Sequence, residues 1–331
     1  MRIDDLQKIK KQLLDALPNY KSFCILTHKN PDGDGLCAAL ALQEILLDFA
    51  IKADVVIEDE IPDNYEFLNG SERVKVFNDT MLYKFVIILD CHEVDRLGKC
   101  APLLHTAKEV FVFDHHVQQQ LIENSKTYIN AKAVSVGAIL FDMFEEEIAN
   151  LPADSANYVA KALYTTVIND TDNFINMNTD AATFLFCSKL MKFDIVPGQI
   201  TEQFLLCRPV NEMQFIGEAL SKMATYDEDN ILFIVASLDM LERHDLIDKE
   251  VSKLTRWVKG TKNVKIVASF LEINSNRYRI SLRSNYINVN KIATKYGGGG
   301  HKKASGCEIK GSLEKVQQGL LEDIRNQLHS I

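Results

Sequence analysis

No two cysteines in this chain form a C-x-x-C pair, although there are seven of them. Cys24, Cys37, Cys91, Cys100, Cys187, Cys207 and Cys307 are scattered, and the first three lie in or beside apolar runs. An odd number without framework spacing excludes a disulfide scaffold and a cysteine zinc site. It reads as reduced, buried thiols in a cytoplasmic setting. No apolar run reaches membrane-spanning length, and there is no internal repeat or low-complexity tail. The first twenty residues set Ile3, Leu6, Ile9, Leu13, Leu14 and Leu17 among aspartates and lysines, the pattern of an amphipathic helix rather than a signal peptide. Positive charge is also short: 37 Lys and Arg stand against 46 Asp and Glu, a formal net charge of −9. That argues against long, non-specific contact with nucleic acid. A phosphate-ester ligand needs metals and a local basic patch to reverse the sign.

What is present is an ordinary globular composition, 47% hydrophobic and 25% charged over 331 residues, long enough for two domains with sizeable cores. The stretch Thr27-His28-Lys29-Asn30-Pro31-Asp32-Gly33-Asp34-Gly35 organises it. The short apolar run Phe23–Leu26 before it reads as a buried strand, and the Ala- and Leu-rich segment Leu36–Phe49 after it as a helix. One imidazole and two carboxylates then share a tight loop at a strand end. A divalent metal between them is the simplest relief of their repulsion. The plain alternative is a polar turn with a helix cap. The loop fits neither a G-x-G-x-x-G dinucleotide turn nor a calcium EF-hand, since Leu36 and Cys37 fill the fifth and sixth positions counted from Asp32.

The pattern recurs. Phe85–Leu89 is a continuous apolar run ending in Asp90, and Glu109–Phe113 runs into Asp114-His115-His116. With strands at 53–57 and 74–77 and helices between, the fold class is α/β: a mostly parallel sheet covered on both faces, with ligands outside the strands' carboxyl ends. Helices are expected over 135–147, 154–168 and 181–191, with a polar turn at Asn169-Asp170-Thr171-Asp172; Asp172 rivals Asp170 as a ligand. The domains are expected at 1–190, with a helical linker over 191–226, and 227–331, a smaller α/β domain. Residues 199–225 read as helical, interrupted or restarted at Pro209. The second domain should hold strands at 231–236, 264–270 and 276–283 and a helix from 313 to 329. The run Gly297 to Gly300, followed by His301, Lys302 and Lys303, is either a hinge or an anion-binding loop. The basic flank, with Arg283 able to grip a phosphate in two-pronged fashion, favours the second.

His28, Asp32, Asp34, Asp90, His115 and Asp170 are hard or borderline ligands, suited to manganese or magnesium. They are too many for one ion and fit two ions about 3.5–4 Å apart that share a carboxylate. Such a pair activates water and holds a phosphoryl oxygen, which points to phosphoester or phosphoanhydride hydrolysis. Asp95, His92, His105, His244 and His329 read as structural or solvated.

At this point His28-x-x-x-Asp32-x-Asp34, Asp90, Asp114-His115-His116 and Asp170 resemble the successive motifs of the DHH phosphoesterases. Gly297-Gly298-Gly299-Gly300-His301-x-x-Ala304-x-Gly306 resembles the glycine-rich signature of the associated DHHA1 domain. In particular the chain resembles stand-alone DHH–DHHA1 nanoRNases. The resemblance implies a metal-dependent enzyme cleaving short RNA or DNA oligonucleotides to nucleoside 5'-monophosphates, and 3'-phosphoadenosine 5'-phosphate (pAp) to AMP; close relatives cleave pApA or cyclic di-AMP. It implies two Mn²⁺ (or Mg²⁺ or Co²⁺), one held by His28, Asp32 and Asp90 and one by Asp34, Asp90, His115 and Asp170. Asp114 would orient His115, and His116 would contact the scissile phosphate. Arg283 and His301, with Gly298, Gly299 and Gly300, would bind the substrate's far end, the distance from the metals measuring its length. No membrane association is expected, and no protein partner is inferable from the sequence. Two departures stand out: Asp172 where the family often has Gly, and Ala133-Val134-Ser135-Val136 where it often has Ser-Ser-Thr, so that a hydroxyl able to cap a helix or touch phosphate is expected to be missing. The rivals are a long-strand exonuclease, a manganese pyrophosphatase and a nucleotide-binding regulator without turnover.

Overall fold

The computed structural model describes residues 3–61, 65–68, 70–117, 121–247 and 254–329. The chain divides into two compact units, Met1–Cys207 and Arg208–Ile331.

The first unit runs α1 (Ile3–Ala16), β1 (Phe23–Leu26), α2 (Gly33–Asp48), β2 (Ala53–Ile57), β3 (Lys75–Val76), β4 (Phe85–Leu89), β5 (Glu109–Asp114), β6 (Lys126–Ile129), α3 (Val136–Asn150), α4 (Ala153–Asp170), α5 (Ala181–Leu190) and α6 (Pro197–Thr201). Of the amphipathic segment expected from residue 1, residues 1 and 2 lie outside the described residues. The six strands form a sheet of order β3-β2-β1-β4-β5-β6, parallel throughout. Alternate residues of each strand face opposite ways. Phe23, Ile25, Ile87, Phe111 and Phe113 meet the helices. Cys24, Leu26, Val86, Ile88 and Val112 meet Leu97, Cys100 and Leu103 of a 3-10 segment that spans Val94–Thr106. Both faces are therefore dry, which is why the central strands carry uninterrupted apolar runs.

The strand order reverses between β1 and β4. After β1 the chain turns into α2 on one face, and after β4 into the 3-10 segment on the other. Side chains at these two strand ends face the opening between the diverging connections, where open α/β sheets bind ligands.

The second unit runs α7 (Val210–Ser221), β7 (Ala224–Tyr226), β8 (Ile231–Ala236), α8 (Leu238–Arg243), β9 (Ile266–Asn274), β10 (Arg277–Ser284), α9 (Val289–Lys295), β11 (Gly299–His301), β12 (Ala304–Lys310) and α10 (Leu313–Leu328). Its sheet is mixed, of order β11-β12-β10-β9-β8-β7, with only β8 and β9 parallel. Phe233, Phe270, Ile280 and Leu282 pack on α9 and α10, while Leu232, Ile234 and Val267 pack on α7 and α8.

The expected restart at Pro209 is present: α6 gives way to a π turn over Glu202–Leu206, and Pro209 is the N-cap of the separate helix α7, whereas Ala224–Tyr226, expected to be helical, is an edge strand. Asp170 is the last residue of α4 rather than part of the following turn. Half of the glycine run is strand β11, paired with β12, so the run is not a free hinge. A Cβ on Gly298 would lie 2.1 Å from the Gly306 carbonyl oxygen, and Gly300, at φ +133°, would meet the Ala304 oxygen at 2.7 Å. Glycine there lets two backbones close up. Among the described residues no helix is long and apolar enough to cross a membrane.

Candidate metal centre

The loop after β1 is built by its small residues. Asp32 is the N-cap of α2, its Oδ1 accepting the Asp34 N–H at 3.0 Å, so the plain cap role is also filled. A Cβ on Gly35 would lie 2.0 Å from Thr27 Oγ1, and one on Gly33 2.9 Å from Asn169 Cβ. These glycines let the start of α2 lie against β1 and the end of α4. Asp34, inside the first turn, is wholly buried. Its Oδ2 accepts the Val136 N–H at 2.7 Å and its Oδ1 the Gly137 N–H at 3.2 Å, so the N-terminus of α3 holds both oxygens. Ser135 caps α3 by accepting the Ala138 N–H at 3.2 Å. The capping hydroxyl expected to be missing is therefore present, supplied one residue before Val136.

Asp90 follows β4 in the left-handed region, at φ +59°, which aspartate tolerates better than most residues. Its Oδ2 lies 3.3 Å from His28 Nε2, and its Oδ1 lies 3.4 Å from His115 Nε2 and 3.3 Å from His116 Nδ1. His28 Nε2 is also 3.8 Å from Asp32 Oδ1. His115 Nε2 is 3.3 Å from Asp34 Oδ2 and 3.1 Å from Asp170 Oδ2. Asp170 is steadied by Asn169, whose Nδ2 donates to Oδ1 at 3.0 Å while its own oxygen accepts the Gly33 N–H at 3.2 Å.

Three clusters of donor atoms result, each within 4.8 Å: His28, Asp32 and Asp90; Asp34, His115 and Asp170; and Asp90, His115 and His116. All six residues expected as ligands fall in them; Asp172 falls in none. Asp90 faces His28 with one oxygen and His115 with the other.

The donor set fits divalent cations. His28 Nδ1 donates to the Lys29 carbonyl at 2.8 Å and His115 Nδ1 to the Ala133 carbonyl at 3.2 Å. Each neutral ring therefore presents a bare Nε2 to carboxylate oxygens. His115 Nε2 and Asp90 Oδ1 are buried without a hydrogen-bond partner, although oxygens surround the nitrogen at 3.1–3.4 Å. Donors that converge without pairing are arranged for a shared cation. Without one, the site must take up protons. Burial opposes charge on His28, but Asp32 and Asp90 outweigh it and push the imidazole up to about 10. Burial opposes charge on His115 too, but Asp170, Asp90 and Asp34 push it up to about 12. Burial, then the charges of Asp170 and Asp90, hold the Asp34 carboxyl well above the usual range.

Asp114, wholly buried at the end of β5, does not reach the His115 ring. Its Oδ1 accepts the backbone N–H of His115 at 2.7 Å and of His116 at 3.0 Å, and the His116 Nδ1–H at 2.8 Å; Oδ2 accepts from His92 Nδ1. The ring it orients is that of His116, whereas His115 is fixed by Ala133. Against the penalty of burial, His116 and His92 hold the Asp114 carboxyl well below the usual carboxylate range.

In the second unit, Arg283 and His301 are both cross-strand partners of Ala304, from opposite sides of β12. In-register residues point to one face, so the two side chains share it, about 10 Å apart by strand spacing. Both are exposed, as are Gly299 and Gly300, while Gly298 is partly covered. Sequence reasoning missed Asn169, His92 and Ser135; only their positions beside Asp170, Asp90 and the start of α3 could have signalled them.

A family model described as "DHH family, N-terminal domain" matches residues 22–167, and one described as "DHHA1 domain" matches residues 230–330. The "Bifunctional oligoribonuclease and PAP phosphatase NrnA" of Mycoplasma pneumoniae is 23% identical over 321 residues, 96% of each chain. The protein of the same name from Thermus thermophilus is 25% identical over 312 residues, covering 92% of this chain and 89% of that one. The crystal structure of an exopolyphosphatase-related protein from Bacteroides fragilis has a TM-score of 0.87 at 21% identity, over 98% of both chains. That likeness speaks for the α/β fold.

Proposed function

Because this chain belongs to the DHH phosphoesterase family, with a DHHA1 domain behind its DHH domain, we propose that it hydrolyses very short oligonucleotides to nucleoside 5'-monophosphates and pAp to AMP. The names of its relatives, oligoribonuclease and PAP phosphatase, support that substrate class. The observation that carries the reading is Asp90, with one oxygen toward His28 and the other toward His115. A carboxylate so placed is suited to two cations sharing one ligand.

His28, Asp32 and Asp90 would hold one divalent ion, and Asp34, Asp90, His115 and Asp170 the other, with Mn²⁺ favoured and Mg²⁺ or Co²⁺ as substitutes. Such ions would supply positive charge to the phosphate and acidify a bound water. The chain does the rest. His28 and His115 are locked in the tautomer that presents Nε2. His116 donates a hydrogen bond from its Nδ1–H to Asp114, which leaves Nε2 of its partly exposed ring to meet the phosphate as charge develops there. Arg283, His301 and the backbone of Gly298, Gly299 and Gly300 bind a further phosphate or terminal nucleotide. We place the protein in the cytoplasm, where its seven cysteines, all free thiols, stay reduced.

The test is product analysis with Mn²⁺ on pAp, pApA, cyclic di-AMP, a five-nucleotide RNA and a long single-stranded RNA. AMP from pAp, and mononucleotides from pApA and the short RNA, with the long strand intact, is the expected result. Binding of all five without turnover would turn the reading to a regulator, and turnover of cyclic di-AMP alone to a cyclic-dinucleotide phosphodiesterase.

A further inference from the structure

His92 belongs to none of the donor clusters among the described residues, yet it is 4% exposed and pairs with a carboxylate that is itself wholly buried. An ionised carboxylate only accepts hydrogen bonds, so the Nδ1 of His92 and the Nδ1 of His116 both donate to Asp114, one to each oxygen. The two main-chain donors, His115 N–H and His116 N–H, fall on Oδ1 alone. The two oxygens turn together about the Cβ–Cγ bond, so the three donors on Oδ1 and the His92 donor on Oδ2 restrain one and the same rotation. Without the His92 donor, a wholly buried anionic oxygen would lose a partner, and the carboxylate could relieve that cost only by turning, which would carry Oδ1 away from the His116 ring.

We propose that His92 is a positioning residue for the hydrolysis: by satisfying the buried Asp114 Oδ2 it keeps the carboxylate from turning, and so keeps Oδ1 where it orients the His116 ring toward the substrate phosphate. The role rests on the proposed phosphoesterase reading for its kinetic consequence, but not for its geometry. Nothing in the neighbouring metal ligands substitutes for it, because the rings of His28 and His115 are fixed by carbonyl oxygens instead.

The test compares His92→Leu, which removes the donor, with His92→Asn, whose side-chain amide reaches the place of Nδ1. With Mn²⁺ and pAp, His92→Leu should lower kcat by about 10- to 100-fold, the usual effect of removing an outer hydrogen-bond partner, with KM within about twofold. His92→Asn should stay within about threefold of wild type, and both variants should bind Mn²⁺ as wild type does. Wild-type kcat in His92→Leu would overturn the proposal. So would an equal fall in His92→Asn, or a loss of Mn²⁺ affinity that accounts for the fall. A second readout needs no turnover: histidine-selective ¹⁵N spectra of the Mg²⁺-loaded wild type should place a proton on Nδ1 of both His92 and His116. The His116 proton should persist in His92→Asn and be lost to solvent exchange in His92→Leu. A bare Nδ1 on His92 in the wild type would overturn the assignment even if His92→Leu fails to fold. A wild type inactive on every nucleotide, with both Nδ1 protons in place, would instead remove the proposed function and leave the positioning standing.

Discussion

Asp90 Oδ2 lies 3.3 Å from His28 Nε2, across the ends of two neighbouring parallel strands. The contact depends on the backbone as much as on the side chains. β1 and β4 run side by side, Leu26 opposite Ile88, and the left-handed turn at Asp90 brings its carboxylate back over the sheet edge.

Asp90→Asn should therefore separate chemistry from folding. Asparagine tolerates the left-handed conformation, so the main chain is kept, but one of the two anionic oxygens becomes an amide. Turnover of pAp should fall by about a thousandfold or more, comparable to loss of a strong transition-state contact, with the thermal midpoint little changed. Retained activity would sink the shared-ligand arrangement.

Stripped of metal, the protein should lose stability as pH rises. His28 and His115 have folded values of about 10 and about 12. Their stabilising contribution is complete below the unfolded value near 6.5 and is lost as pH climbs toward those figures. Asp34 and Asp170, held up by burial, act in the same direction, since ionising them costs more in the folded state. Thermal melts in EDTA should fall between pH 6.5 and 9, while melts in Mg²⁺ should be nearly flat. A flat EDTA profile would contradict the proton-for-metal exchange.

Two glycine substitutions should have opposite signs. In Gly35→Ala the new Cβ meets Thr27 Oγ1 at 2.0 Å, and rotating that hydroxyl leaves Thr27 Cβ at 3.1 Å. Forcing α2 outward should cost about 1–3 kcal/mol and most of the activity. Gly217 lies in α7 with nothing within 4 Å of its Cβ position, so Gly217→Ala should stabilise the second unit by about 0.5–1 kcal/mol. Urea unfolding of both variants checks the pair.

Arg283→Ala should act on binding rather than on the chemical step. Its guanidinium donates to its own strand, Nη1 to the Leu282 carbonyl at 2.9 Å, and the side chain is exposed, so little stability is at stake. KM for a dinucleotide should rise about tenfold, in line with loss of a charge-assisted contact, with kcat within about threefold. An unchanged KM would remove Arg283 from the substrate site.

The cluster of candidate ligands was largely legible because several of its residues end strands whose apolar runs are unmistakable. Asp90, Asp114 and His115 mark the carboxyl edge of the parallel sheet even before its strand order is known. What supports them was not. Besides their local bonds, Ser135 pairs with Thr166 and Asn169 with the Gly33 N–H, groups distant in the chain, and such pairs leave no periodic signal. His92 looked like a solvated loop residue because nothing local shows that residues 91–93 turn inward under Asp114. Short edge strands were missed for a different reason. β6, Lys126-Thr127-Tyr128-Ile129, is covered too little to need an apolar run, and β11 is made of residues that ordinarily weaken strands. The segment Val94–Thr106 covers a whole face of the sheet, yet Gly98 and Pro102 break the helical periodicity that would have revealed it.

Both oxygens of Asp34 are gripped by the main chain at the start of α3. Its aim is thus set by where α3 begins, a point that the Ser135 cap helps to fix. At Gly137 a Cβ would strike Thr166 Oγ1 at 2.2 Å. The buried anion is therefore held by the backbone of a helix start, and a larger residue at 137 should be tolerated only together with a smaller one at 166.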